Sequence, residues 1–375
     1  MIRWWFTVSL TGLVLAFTVT GIALFSGQVI PARLLSYPHG DIPRAAYFIH
    51  LIDIGRGLEA PYSDLAIGYC CLNWSPDGRY LMALTPALDH APGRYELTLI
   101  DHQTRQVIWN SGNIGYTSGI TAWSPDSRHL LYDSNVRGDG DQAIHLLTVD
   151  GDQFTTAPLL PESVSNNQIA NARAWSADGR WIVYGVRQIQ TPIYHLYEVS
   201  TGQSILIPQG ELLREPTFGP QGSQIAFNRG TLTETQLVLT DVDCLLHDQC
   251  SQSEQRVTLV PLASLQTWPT WSPDGNRVAY SLGFGAASGI YQAQAAPIES
   301  RSRMVIDRPG DEWFLNWSFD GLDIAYLSNE SGTDELYRVE VSTGTVQRLT
   351  RNNHVDGPPV WVPSPSSQVT VLSSQ

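Results

Sequence analysis

The five residues Trp271-Ser272-Pro273-Asp274-Gly275 recur in full as Trp74-Ser75-Pro76-Asp77-Gly78, and that recurrence limits the chain to very few architectures. Trp123-Ser124-Pro125-Asp126-Ser127, Trp175-Ser176-Ala177-Asp178-Gly179 and Trp317-Ser318-Phe319-Asp320-Gly321 each change one position. Phe218-Gly219-Pro220-Gln221-Gly222 and Trp361-Val362-Pro363-Ser364-Pro365 are degenerate copies. Successive lead aromatics are 49, 52, 43, 53, 46 and 44 residues apart. A period of that size is the mark of a β-propeller whose blades are four-stranded sheets.

The motif has a mechanical reading. Pro presets φ for a type I turn, Asp bonds locally to backbone N–H groups, and Gly accepts the positive φ at which the chain reverses into the next strand. The preceding Trp brings a large apolar ring to the end of a strand, where it packs on a neighbouring blade. Seven such positions, each tied to a turn, speak for packing rather than for a ligand-stacking box.

The two ends of the repeat region complement one another. Ala46 to Ile54 reads as a strand with no Trp motif before it, and residues 46–66 are expected to supply the outer two strands of a blade. At the far end, Pro359-Val360-Trp361 and Gln368 to Leu372 are expected to supply the inner two. Six complete repeats and two halves make an all-β, seven-bladed propeller of antiparallel blades, closed by strands from both ends in one shared blade, which leaves no long unpaired edge.

Within a repeat the inner strand ends at Trp, the turn follows, and then come a second strand, a polar loop, a third strand, a Thr-Gly turn and an outer strand. Trp317 to Thr350 shows this order most clearly, with Ser328-Asn329-Glu330-Ser331-Gly332 and Arg348-Leu349-Thr350. The pattern resembles the TolB-type propeller family over about residues 46–375. The resemblance implies a propeller fold. It also implies an additional N-terminal α/β domain, in whose place this chain has a short apolar and tether segment, so the envelope role of TolB is not carried over.

Trp4 to Phe25 is a run of 22 residues without a charge. At ~1.5 Å per residue a helix of that length covers about 33 Å, enough to cross a hydrocarbon core of about 30 Å. The expectation is a signal anchor over 1–25, a tether over 26–45 carrying Pro31, Pro38, Gly40 and Pro43, and a propeller over 46–375, outside the cytoplasm. A cleaved signal peptide is the rival reading, its apolar core usually being about 7–15 residues.

Net charge is −14 and all 22 basic residues are Arg, with no basic run, which argues against nucleic-acid binding. The absence of Lys removes a P-loop lysine and Schiff-base chemistry. No Gly-x-Ser-x-Gly elbow, His-Glu-x-x-His or Gly-x-Gly-x-x-Gly occurs. The hydrolase domain that accompanies similar propellers in prolyl-oligopeptidase-like enzymes is not expected. Four cysteines fit no zinc pattern. A disulfide between Cys244 and Cys250 suits an exported chain, whereas adjacent Cys70 and Cys71 are expected as buried thiols, because a bond between neighbours would strain the strand. Arg137 to Gln142 could pass as a calcium loop but reads better as a polar hairpin loop. No cofactor or metal is expected.

Loops entering each inner strand gather at one mouth of the channel. They carry Tyr69 and Asn171, and the candidates for a ligand or partner site are Arg173, Arg214, Glu215, Trp268, Asp311, Glu312, Trp313, His354 and Asp356. Charged groups with aromatics suit a peptide or protein partner. The reading is a membrane-tethered, non-catalytic binding scaffold. The alternative is a metal-assisted carbohydrate lyase or hydrolase using the funnel, which requires His and carboxylates converging within ligand distance.

Overall fold

The computed structural model describes residues 22–25, 28–31, 33–41, 46–86, 95–112, 121–134, 143–160, 169–187, 192–207, 212–230, 235–247, 255–258, 269–282, 289–295, 298–352 and 354–363. Seven four-stranded antiparallel sheets follow one another around a ring. Blade 1 is Asn73–Trp74, Tyr80–Pro86, Tyr95–Asp101 and Val107–Asn110. Blade 2 spans strands from Ala122–Trp123 to Gln153–Pro158, and blade 3 from Ile169–Trp175 to Gln203–Leu206. Blade 4 runs from Leu212–Phe218 to Gln255–Thr258, blade 5 from Thr270–Trp271 to Ile298–Ile306, and blade 6 from Glu312–Trp317 to Thr345–Arg348.

Strand alternation explains how each blade serves two interfaces. In the second strand of blade 5, Val278 and Tyr280 pack on blade 4, while Ala279 between them faces blade 6. The equivalent small residues Ala226 and Ala325 are fully buried at the same place in their blades. Pairing a large residue on one face with a small one on the other fills a wedge-shaped space without voids. Every neighbouring pair of blades has its own buried cluster, so the core is a ring of seven interfaces.

The turn that ends each inner strand is a hydrogen-bonded knot centred on its serine. Ser75 Oγ donates to Asp77 Oδ1 (2.6 Å) and accepts the Tyr80 N–H (2.9 Å), while the Gly78 N–H donates to Ser75 O (2.8 Å). Gly78 takes φ 72°, and Ser127 adopts φ 61° where its copy lacks the glycine. The serine hydroxyl is sealed from water in all five repeats that carry it, so its two bonds replace hydration that burial removes.

The tryptophans bind blade to blade through the indole N–H. Trp123 donates to Asn73 O, Trp271 to Thr217 O, Trp317 to Thr270 O and Trp361 to Asn316 O, at 3.0–3.3 Å. Each acceptor is the residue just before the lead aromatic of the preceding blade. Trp175 departs from the pattern and donates to Gly179 O in its own turn; a cavity of about 310 Å³ opens beside it between blades 2 and 3.

Blade 7 closes the ring with a division of strands unlike the expected one. Its order is Val360–Trp361, Leu34–Asp41, Ala46–Asp53, Leu58–Ile67, three strands from the N-terminal side and one from the C-terminal side. The second place, expected for Gln368–Leu372, belongs to Leu34–Asp41, and residues 364–375 lie outside the described ones. The tether expected over 26–45 therefore contains a propeller strand. Pro38 misled the reading. Its carbonyl accepts from the Gly357 N–H (2.7 Å), so this edge faces an inner strand only two residues long, and little ladder is lost through the missing N–H.

Two more expectations need correction. Ile22–Phe25, the end of the apolar run, pairs antiparallel with Gln28–Pro31 instead of continuing a helix. Residues 1–21 lie outside the described residues, among which no helix is long and apolar enough to cross a membrane. Cys70 and Cys71 are joined to one another rather than free, the chain accommodating the bond with a positive φ of 80° at Cys71. Cys244, on the short helix Val242–His247, is disulfide-bonded, and Cys250 lies outside the described residues, as does the segment Arg137 to Gln142.

Candidate functional site at the channel mouth

The loops entering the inner strands of blades 1, 6 and 7 converge. Gly357 sits at the tightest point: a Cβ there would clash with Tyr69 O and lie 2.7 Å from Pro38. Only glycine lets the loop into blade 1 press so closely on blade 7. Tyr69 then reaches across to blade 6, where its hydroxyl and the Asp334 carboxyl influence one another. Tyr47 meets the Tyr69 ring edge-on at 5.3 Å. Burial, the neighbouring Asp334 charge and the Tyr47 ring hold the Tyr69 phenol above its ordinary range.

Asp356 is fully buried beside this group. Its N–H donates to Asp334 O (3.0 Å), and its carboxylate meets His39 Nδ1 at 3.1 Å and the Asn352 side chain at 3.4 Å. The Asp334 carboxyl is pushed up by burial and by the Asp356 charge, against the Tyr69 contact. Glu335, also fully buried, takes Arg348 at 3.0 Å and the Asn352 N–H at 3.1 Å.

Glu312 opens the inner strand of blade 6 and is the most perturbed carboxyl at this end of the ring. It is 2% exposed, and neither oxygen has a hydrogen-bond partner among the described residues. Burial, reinforced by the charges of Asp311 and Glu330 and opposed by Arg308, pushes it up to about 8. A buried carboxyl with no partner holds its proton until a cation arrives. Arg308 is engaged by Glu330 in a two-point pair at 2.7 and 2.8 Å.

The candidates from sequence divide accordingly. Asp356, His354 and Trp313 join Tyr69 in this sector, with Asp311 and Glu312 beside them on blade 6; the Asp311 N–H donates to Asn329 Oδ1 (3.0 Å). Arg173 sits at a bulge of the blade 3 inner strand, and Arg214 and Glu215 at a bulge of blade 4, away from the cluster; their side chains are outside the described set. Trp268 also lies outside the described residues.

Sequence reasoning missed a second group on the face of blade 7 that meets blade 6. His39 and His50 stack at 4.4 Å, and His354 meets His39 edge-on at 5.3 Å. His50 Nδ1 and the Tyr37 hydroxyl each lie 2.7 Å from Glu59 Oε1. The hydrogen bond from His50 holds the Glu59 carboxyl below its usual range, aided by Tyr37 and opposed by burial. One donor atom from each of His39, His50 and Glu59 lies within 4.8 Å of the others. The alternation Leu35, Tyr37, His39 was the available signal, hidden by the tether reading.

No family model matches the chain. An uncharacterized protein of Agrobacterium fabrum is 26% identical over 210 residues, covering 56% of this chain and 64% of that protein. The chain thus matches less than two thirds of the length of that relative. Among solved structures, TolB from Acinetobacter baumannii superposes with a TM-score of 0.53 at 15% identity, over 92% of this chain and 69% of that one. The fold is a seven-bladed β-propeller similar to that of TolB. A prolyl endopeptidase gives a TM-score of 0.61 at 13% identity, over 89% of this chain and 51% of that one. The β-propeller domain of the trilobed protease from Pyrococcus furiosus gives 0.59 at 13%, over 86% and 95%. At these identities a β-propeller fold is what the chains share.

Proposed function

We propose that this chain is a non-catalytic binding scaffold, held at a membrane by its apolar N-terminal segment with the propeller outside the cytoplasm, whose mouth takes a cationic segment of a protein partner. The observation that carries it is the buried, unpartnered Glu312 carboxyl beside Asp311, in a mouth whose neighbouring sector sets Asp334 among Tyr47, Tyr69 and Trp313. A Lys or Arg side chain would meet carboxylates at its head and aromatic faces along its stem. The Cys70–Cys71 bond in the loop bearing Tyr69 suits an oxidising compartment. The test is binding of the full chain to a peptide array varied in Lys and Arg content, with Glu312→Gln and Asp334→Asn compared. Preference for cationic peptides, weakened at least tenfold in either variant, supports the proposal; indifference to peptide charge refutes it.

The convergence of His39, His50 and Glu59 favours a second reading, metal-assisted lyase or hydrolase chemistry on a carbohydrate. Incubation with acidic oligosaccharides and a divalent cation decides it: unaltered substrate removes this reading.

A further inference from the structure

We propose that His39, His50 and Glu59 form a binding site for zinc, or a related late first-row divalent cation, that fastens the closing blade. The donors come from three successive strands of one sheet: His39 from Leu34–Asp41, His50 from Ala46–Asp53 and Glu59 from Leu58–Ile67. Their backbones are set by the ladder, in which Tyr37 faces His50 and Ile52 faces Glu59. The side chains therefore share one face of a rigid support, and the donor atoms already lie within 4.8 Å of one another. A tetrahedral centre with bonds of about 2.0–2.2 Å needs donors about 3.4 Å apart, which modest side-chain rotations supply. Two imidazole nitrogens and one carboxylate oxygen suit zinc, with a water in the fourth position.

The surroundings have the form of a supporting layer. The fully buried Asp356 carboxylate lies 3.1 Å from His39 Nδ1, which orients the ring and directs Nε2 to the metal. The Tyr37 hydroxyl, 2.7 Å from Glu59 Oε1, fixes that carboxylate in the same way. Access is from solvent, since the Glu59 side chain is 40% exposed. Among the described residues the partners of Glu59 are Tyr37 and His50, and no arginine is paired with it.

The site also joins the two ends of the repeat region. Asp356 precedes the C-terminal inner strand and forms an isolated bridge with His39. Metal on His39 makes its Nδ1–H a stronger donor to Asp356, so occupancy tightens the contact by which N-terminal strands hold the C-terminal one. This inference is independent of the peptide-binding reading, because Glu312 and Asp334 take no part in the site.

The test is calorimetric titration of the chelator-stripped full chain with zinc, with Co²⁺ absorption reporting coordination geometry. The expected result is one ion per chain, a tetrahedral Co²⁺ spectrum, and slower hydrogen exchange in Leu34–Asp41 and at Val360 and Trp361. His50→Ala is expected to weaken binding at least a hundredfold. Glu59→Gln keeps an acceptor for Tyr37 and sits on the surface, so it tests the site in a chain whose fold is not at risk; a loss of at least tenfold is expected. Asp356→Asn is expected to weaken binding about 10–100-fold with stoichiometry unchanged. Absence of stoichiometric binding in the stripped chain, or equal affinity in the His50→Ala and Glu59→Gln chains, overturns the proposal.

Discussion

Blades 6 and 7 lie side by side and are built differently. Blade 6 takes its four strands from one continuous stretch, Glu312 to Arg348, and its inner strand is six residues long. Blade 7 draws a two-residue inner strand from the far end of the chain, paired only as Leu35–Trp361 and Ser36–Val360. The seam is reinforced instead by separate backbone bonds, Val362 to Leu34 O (3.0 Å) and Gly357 to Pro38 O (2.7 Å). Its tryptophan tie is indirect as well. Trp74 Nε1 donates to Ser36 Oγ (2.9 Å), and Ser36 Oγ passes the bond to Val360 O (3.0 Å), which holds the position of the direct acceptors elsewhere. The comparison teaches that closure rests on discrete contacts placed where a ladder is missing.

The largest blow to that contrast is Trp361→Ala against Trp317→Ala. Both open a core cavity and lose about 3–5 kcal/mol of stability. In urea unfolding followed by hydrogen exchange, the seam variant is expected to release Leu34–Asp41 before the rest of the ring, whereas Trp317→Ala leaves blade 6 exchanging as a unit. Equal protection of both blades in the two variants would erase the distinction.

Next in size is the mouth of blade 6. The folded Glu312 carboxyl is raised from 4.5 to about 8, so between those values the folded chain binds more protons than the unfolded one. Stability from this residue is full below pH 4.5 and is lost as pH rises to about 8, by a few kcal/mol in all. Glu312→Gln is expected to flatten that part of the pH–stability curve; an unchanged slope from pH 5 to 8 contradicts the assignment.

Ser36→Ala strands the buried Trp74 N–H and is expected to cost about 1–3 kcal/mol. Its measure is the urea midpoint, and a shift no larger than for an exposed serine would show that the relay is idle. The smallest contrast is between two arginines stacked on aromatics. Arg33 spans the seam to Asp320 (3.3 Å) and the nearly buried Asp323, over Trp361 at 5.4 Å. Arg180 pairs within its blade with Glu198 (3.1 Å) over Trp181 at 4.8 Å. Arg33→Ala is expected to cost about 1–2 kcal/mol and Arg180→Ala less than about 1 kcal/mol; the reverse order would mean that seam charges carry no special weight.

The ring was legible in the sequence because the turn knot needs specific residues, and a repeated need leaves a repeated signature. Closure in a shared blade was legible too, since Ala46 to Ile54 lacks a motif of its own. The strand Leu34–Asp41 was not, because proline and glycine ordinarily punctuate loops, and here a truncated neighbour tolerates them. The mouth was half legible: Asp311, Glu312, Trp313, His354 and Asp356 lie at the ends of readable strands. Tyr37, His39, His50 and Glu59 meet only once three strands are in register, and register is a long-range property. The Cys70–Cys71 bond was misread because a regular strand was assumed where Cys71 turns to positive φ.

The indole ties run in one rotational sense and stop twice. Phe218 has no N–H to give, and Trp175 spends its own within its turn. Both gaps fall on the arc from blade 2 to blade 4, roughly across the circle from the seam, and the cavity beside Trp175 lies in the same arc. On that arc the blades meet through their buried apolar clusters without the indole bond that the other interfaces add.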